Sequence, residues 1–323
     1  MLWNAAKPVL NLLRRRPILA VVEFDHQDPY PPEREHRSNQ PLMSREEIQQ
    51  IFFSLHDEGI RFLVIHAGDL NARDDLFEIL RDLFDAGFHL TVLTDGAQLT
   101  DNLISILASM RVSLSVSLDT LDRESYKRLT GTDRMRLALA GIERLSRYNH
   151  PRFISCTVSE QSEQEVEQVV AFARERGFIP VVSLYHKDIA RSNGNGHTRQ
   201  HCRQEAGITL FNELLSKGLI PDGLFRNFLK DNIKWLKGEQ LGRCDAGRYS
   251  IFIDGAGNVS PCLGFSHTGN LLQAPLDRIL QGFDKAAIRR CSDNSSCNLL
   301  CNRAIGSAMR HPIATFTSPL SHA

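Results

Sequence analysis

Seven cysteines are spread unevenly through 323 residues, and five of them, Cys244, Cys262, Cys291, Cys297 and Cys301, crowd into the stretch from 244 to 301. Cys156 and Cys202 stand alone. The gaps between the crowded five are 17, 28, five and three residues. Thiolates three to five residues apart can converge on one centre, and a hairpin between Cys244 and Cys262 brings a distant pair beside them. Soft sulfur ligands suit zinc or an iron-sulfur cluster, and four of them complete either site. Paired C-x2-C knuckles, the usual zinc signature, are absent. That favours one iron-sulfur cluster of the 4Fe-4S kind and keeps zinc as the alternative metal.

A second set of residues has ligand chemistry of a harder kind. Asp25, His26, His66, Asp69 and His186 are expected just past strand ends, with Asp28, Asp95 and Asp119 in equivalent places. Imidazole and carboxylate suit iron(II), manganese or zinc and support hydrolytic or oxygen chemistry. Polar side chains are also ordinary at strand ends, so these residues equally fit loops that serve only the fold. No G-x-x-x-x-G-K-S/T loop, G-x-S-x-G elbow or H-E-x-x-H helix occurs, so the chain offers no support for P-loop hydrolysis, hydrolase acyl transfer or zincin proteolysis.

The elements that must position these residues are legible in the hydrophobic pattern. Short β-branched runs, Ile18 to Glu23, Phe62 to His66, His89 to Thr94, Ser113 to Leu118, Phe153 to Val158 and Ile179 to Leu184, predict six strands. Apolar residues three and four apart predict helices over Arg45 to His56, Leu76 to Ala86, Leu99 to Met110, Arg134 to Tyr148 and Glu163 to Arg176. Ser44 with Glu47 makes a capping box, and Gly59, Gly87 and Gly177 close helical runs. Strands alternating with helices predict an α/β fold with a parallel sheet. Six strands are too few for a closed barrel, so the expected architecture is a partial (β/α)6 barrel, with a doubly wound sheet as the alternative. Either way, loops at the carboxyl ends of the strands form the ligand face.

The expected domains are a basic amphipathic segment over 1–17, the partial barrel over 18–187, a linker with helices over 188–240, a small cysteine-rich domain over 241–310 and a tail over 311–323. Helices are predicted over Gln204 to Lys217, Leu224 to Leu236 and Leu276 to Arg289. Tyr249 to Ile253 and Val259 to Cys262 read as a hairpin.

Acidic and basic side chains balance at 38 each, which removes the general field that draws a protein to nucleic acid. No apolar run is long enough to span a bilayer. Residues Met1 to Val22 mix leucines with Arg14, Arg15 and Arg16 and lack a cleavage pattern, so the expected location is the cytoplasm. The same segment could pack on its own domain or make a weak peripheral contact with an anionic membrane. In a reducing compartment clustered cysteines bind metals more readily than they form disulfides.

Three stretches resemble a known superfamily. Cys244-Asp-Ala-Gly, Ile253-Asp-Gly-Ala-Gly-Asn-Val-Ser-Pro-Cys262 and Cys291-x5-Cys297-x3-Cys301 are similar to the auxiliary-cluster region, of SPASM or twitch type, of radical S-adenosylmethionine (SAM) enzymes. Ser115 to Gly131 resembles their fourth strand and the loop after it, and Thr94-Asp-Gly96 their Thr-Asn-Gly turn. The resemblance implies a (β/α)6 partial barrel, with Cys244, Cys262, Cys297 and Cys301 as the preferred cluster ligands and Cys291 as a substitute.

One part of the superfamily pattern is missing. Its C-x3-C-x2-C loop after the first strand holds the cluster that binds adenosylmethionine, yet here residues 23–36 contain no cysteine, and none precedes Cys156. Ala67-Gly68-Asp69-Leu70 stands where the superfamily has Gly-Gly-Glu-Pro, which helps hold the methionyl amine. Reductive cleavage needs an electron delivered through a cluster bonded to the substrate. The expectation is therefore a non-cleaving relative that binds, scaffolds or relays electrons for a protein partner or peptide substrate. The alternative is an enzyme using the His/Asp set or residual adenosylmethionine binding.

Overall fold

The computed structural model describes residues 2–24, 41–160, 162–186, 202–300, 302, 303 and 306. Six parallel strands pair in chain order: β1 (Leu19–Glu23), β2 (Phe62–Gly68), β3 (His89–Thr94), β4 (Ser113–Ser117), β5 (Arg152–Val158) and β6 (Ile179–Leu184). Their order never reverses between β6 and β1. A doubly wound sheet needs such a reversal, so the arrangement is the expected partial barrel. Ala20, Val22, Leu63, Ile65, Leu90, Val92, Leu114 and Val116 are buried at alternate positions along these strands, so one face of the sheet is fully covered, while β3 and β5 are at most half-buried on the other.

The connecting helices pack over the sheet. In α2 (Arg45–Asp57) the buried residues Ile48, Ile51, Phe52 and Leu55 recur at helical spacing, and the Ser44/Glu47 capping box is formed. α3 (Leu76–Asp85), α4 (Asp101–Ser109), α6 (Met135–Leu145) and α7 (Val166–Glu175) follow the expected runs. Between β4 and α6 lies a helix the pattern did not announce, α5 (Arg123–Thr130), of which only Ser125 and Tyr126 are buried. Its signal was in the caps: Asp122 accepts from the Ser125 amide at 2.8 Å, and Gly131 closes it at φ 71°.

The N-terminal helix α1 (Leu2–Arg14) is tied to the barrel. Asn11 Nδ2 donates to Glu58 O at 2.8 Å and Pro17 O at 3.1 Å. The contact needs glycine at the end of α2: Gly59 sits at φ 101°, and a Cβ there would lie 2.5 Å from Asn11 Nδ2. Val9 and Leu13 point outward, and no helix of the described residues is long and apolar enough to cross a membrane.

Residues 204–236 hold the two expected helices. α8 (Gln204–Ser216) and α9 (Leu224–Leu236) bury Phe211, Leu214, Phe228, Leu229 and Leu236, and Phe225 stacks edge-on with Phe153 of β5 at 5.9 Å. The sheet also runs on past the expected boundary near residue 241. β7 (Ser250–Ile253) pairs parallel with the free edge of β1 and continues through a hairpin into β8 (Asn258–Ser260) and β9 (Gly269–Asn270). Asp254 shapes the turn, its Oδ1 accepting from Asn258 N at 2.8 Å. The single helix expected over Leu276 to Arg289 is two, α10 (Leu276–Gln281) and α11 (Lys285–Asp293). Asp284 breaks the run by capping α11, accepting from Ala287 N at 2.8 Å.

Candidate metal centre

Four of the five clustered cysteines are described, and they lie in one neighbourhood. Cys244 and Cys262 are buried together with Ala246 against Phe265, one just before β7 and the other just after β8. The β7–β8 hairpin closes that gap, as its position in the sequence suggested. Cys291 lies near the end of α11, and Cys297 in the loop that follows. The thiol of Cys297 hydrogen-bonds to Cys291, which lowers Cys291 and raises Cys297. Cys244 and Cys262 lie close enough to push Cys297 further up. Cys301 is outside the described residues, so the convergent set on view includes Cys291, the substitute, in place of Cys301.

The surroundings hold this set in place. Cys244 N donates to Ser292 Oγ at 2.9 Å, and Gly264 N donates to Cys262 Sγ at 3.3 Å. Trp235 Nε1 and Leu241 N both bond to Ser295, at 2.7 and 2.9 Å, which anchors the Cys291–Cys297 turn to α9. Arg303 is the group sequence reasoning missed. Only 2% exposed, it donates to Gly242 O and, at 3.1 Å, to Cys297 O. Its spacing from the cysteines was visible, but nothing in the sequence marks an arginine for burial.

Thiols crowded in a buried pocket oppose one another's ionisation; burial raises Cys244 as well. A metal reverses that logic, because it binds thiolates. An all-sulfur donor set fits zinc or an iron-sulfur cluster. Among the described residues no three His, Cys, Asp or Glu side chains gather tightly enough for a single metal ion. A cluster asks less closeness of its ligands, since each thiolate takes a different iron. The two solitary thiols are placed otherwise: Cys156 is buried in β5 beside Asp119, and Cys202 sits against Glu163, where burial pushes it up to about 12.

The face at the carboxyl ends of the barrel strands is organised differently. Asp25 and His26 lie outside the described residues, and the other three expected ligands are not drawn together there. Asp69 pairs with Arg134 at 3.3 Å and accepts from Asn71 N at 2.9 Å. Arg134 also reaches Asp95 at 3.6 Å, whose carboxyl burial raises. His66 stands at the end of β2, in register with Glu23. His186 is buried edge-on against Trp235, ring centroids 4.9 Å apart, and burial lowers it to about 4. Asp119 is half-buried, accepts from Thr157 N at 2.6 Å, and is pushed up to about 7 by desolvation.

Family models agree with this anatomy. One, described as the radical SAM superfamily, matches residues 28–173, and another, SPASM, described as an iron-sulfur cluster-binding domain, matches residues 244–303. The chain belongs to the radical SAM superfamily and carries a SPASM domain. Among curated relatives, a GTP 3',8-cyclase of Ectopseudomonas mendocina is 30% identical over 142 residues, 43% of each chain. An AdoMet-dependent heme synthase of Methanosarcina barkeri is 31% identical over 140 residues, 43% of this chain and 39% of that one. The chain thus spans about half the length, or less, of these relatives. In fold it is similar to Streptococcus suis SuiB, solved with its precursor peptide SuiA, at a TM-score of 0.66 and 16% identity over 90% of this chain and 71% of that one. It is similar also to anSMEcpe, solved with AdoMet, at 0.62 and 13% identity over 91% and 98%.

Proposed function

We propose that this chain is a non-cleaving member of its superfamily that keeps one 4Fe-4S cluster in the C-terminal module. Cys244, Cys262 and Cys297 are three of its ligands, and the fourth is Cys301 or Cys291. The observation that carries the reading is the loop after β1, which has no cysteine to hold a cluster against adenosylmethionine. The barrel mouth adds support. Asp69, which stands in the place of the superfamily's amine-holding glutamate, already has a cation on it in Arg134. An incoming methionyl ammonium would have to displace that guanidinium.

When bound, the cluster supplies one-electron chemistry or a structural cross-link. The chain's own residues do the rest: the β7–β8 hairpin presents Cys244 and Cys262, α11 and its exit loop present Cys291 and Cys297, and Gly264 N–H steadies one sulfur. A protein or peptide partner completes the proposal, in a reducing cytoplasm. A cavity of about 280 Å³ near Cys244 and Cys291, lined by Gln240, Leu241, Arg243, Arg289, Ser292 and Asp293, offers a polar recess to seat such a partner.

Anaerobic reconstitution followed by iron and sulfide determination tests the cluster, and incubation with adenosylmethionine and dithionite tests the loss of cleavage. About four irons and four sulfides per chain with no 5′-deoxyadenosine is the expected result. Zinc without sulfide overturns the cluster, and 5′-deoxyadenosine formed in repeated turnovers overturns the non-cleaving reading.

A further inference from the structure

Arg303 is buried among groups that do not neutralise it. It is 2% exposed and makes no ion pair with a carboxylate among the described residues. Two of its nitrogens are spent on the carbonyls of Gly242 and Cys297, and Nε meets no acceptor. A buried guanidinium without a counter-charge is costly, because desolvation is not repaid by neutral acceptors. What lies beside Arg303 is the ligand-bearing chain: it binds the carbonyl of Cys297 and that of Gly242, two residues before Cys244.

We infer that Arg303 is the built-in counter-charge of the thiolate centre, which holds the loaded group's negative charge and makes it easier to reduce. The inference rests on the reading that these cysteines carry a cluster, and it adds why this position holds an arginine. Four thiolates around a 4Fe-4S core leave the whole centre anionic, and taking up one electron makes it more so. A fixed cation in a low-dielectric pocket stabilises the reduced form more than the oxidised one. The two carbonyl bonds fix where the guanidinium sits: they tether it to Gly242, just before Cys244, and to Cys297, so its charge lies between two arms of the ligand set. The apo chain bears the desolvation alone, and the loaded chain recovers it.

The test uses the full chain, reconstituted anaerobically, with Arg303→Lys and Arg303→Gln as paired variants. The midpoint of cluster reduction is followed by spectroscopy during a dithionite titration. With the charge removed, Gln shifts the reduction equilibrium about tenfold toward the oxidised form, about 59 mV for one electron. With the charge kept, Lys stays near wild type. Loss of the cluster from Gln with retention in Lys also supports the assignment. An unchanged midpoint in fully loaded Gln overturns it, and so does loss of the cluster from both variants, which would make Arg303 a folding residue only. A wild-type chain that takes up no iron and sulfide overturns the cluster reading itself, an outcome distinct from either.

Discussion

The barrel mouth and the cysteine module treat charge in opposite ways. At the mouth, three carboxylates have an internal answer: Arg134 spans Asp69 and Asp95, and the Thr157 amide meets Asp119. In the module, thiols crowd against thiols, and a buried arginine faces them without a carboxylate. A site whose charges are already paired asks nothing of a ligand. One whose sulfurs oppose each other and whose cation lacks a partner is completed by an added group. In the function proposed above, this contrast is what sets the chain's chemistry in the C-terminal module rather than at the barrel mouth.

The largest break in that contrast comes from Cys297, the thiol that hydrogen-bonds to Cys291 and lies near Cys244 and Cys262. Cys297→Ser abolishes iron and sulfide uptake, while Cys156→Ala and Cys202→Ala leave it at the wild-type level. Metal and sulfide content per chain is the check, and full loading of the Cys297 variant would refute the convergence. Comparing Cys291→Ser with Cys301→Ser then names the fourth ligand.

Next in size is a pair of desolvated titrating groups with opposed signs. Asp119 is raised to about 7, so its protonated form favours folding; that stability is present below pH 4 and is lost as pH rises to about 7. His186 is lowered to about 4, so the unfolded chain binds the extra proton; this group's stability is present above about 6.5 and is lost as pH falls toward 4. Between those limits the two slopes oppose. Asp119→Asn therefore unmasks stability that rises with pH, and His186→Phe stability that falls with it, each by up to a few kcal/mol at about 1.4 kcal/mol per pKa unit. Urea midpoints from pH 4 to 8 read both, and parallel profiles in the two variants would refute the assignment.

Smaller effects sharpen the picture. Ser44→Ala removes the capping box of α2 and costs about 1 kcal/mol, read as a shift in thermal midpoint. Arg134→Ala lowers stability by no more than about 1 kcal/mol, because the pair is partly exposed, but it leaves Asp69 open to a ligand cation. Equilibrium dialysis then shows tighter adenosylmethionine binding than in wild type. Unchanged affinity would mean that Arg134 does not guard that position.

Much of the frame was legible in the chain. Periodicity placed the six barrel strands and their main helices to within a few residues, because a strand buries side chains two apart and a helix three and four apart. The bunching of five cysteines, and their absence after β1, were equally plain. α5 escaped because it buries too little to leave an apolar stripe, and the break between α10 and α11 because one aspartate cap outweighed a continuous helical pattern.

What the sequence by itself determined, then, is which chemistry the chain can hold: sulfur ligands at one end and none where the superfamily's first cluster would be. Tertiary structure decided how charges meet. Only the fold set β7 against β1 and so joined the cysteine hairpin to the barrel sheet, paired Arg134 with Asp69 and Asp95, turned His186 onto Trp235, and buried Arg303 beside the thiols. These are contacts between residues tens to hundreds of positions apart, and a linear pattern carries local periodicity but not the burial that gives a distant charge its energy.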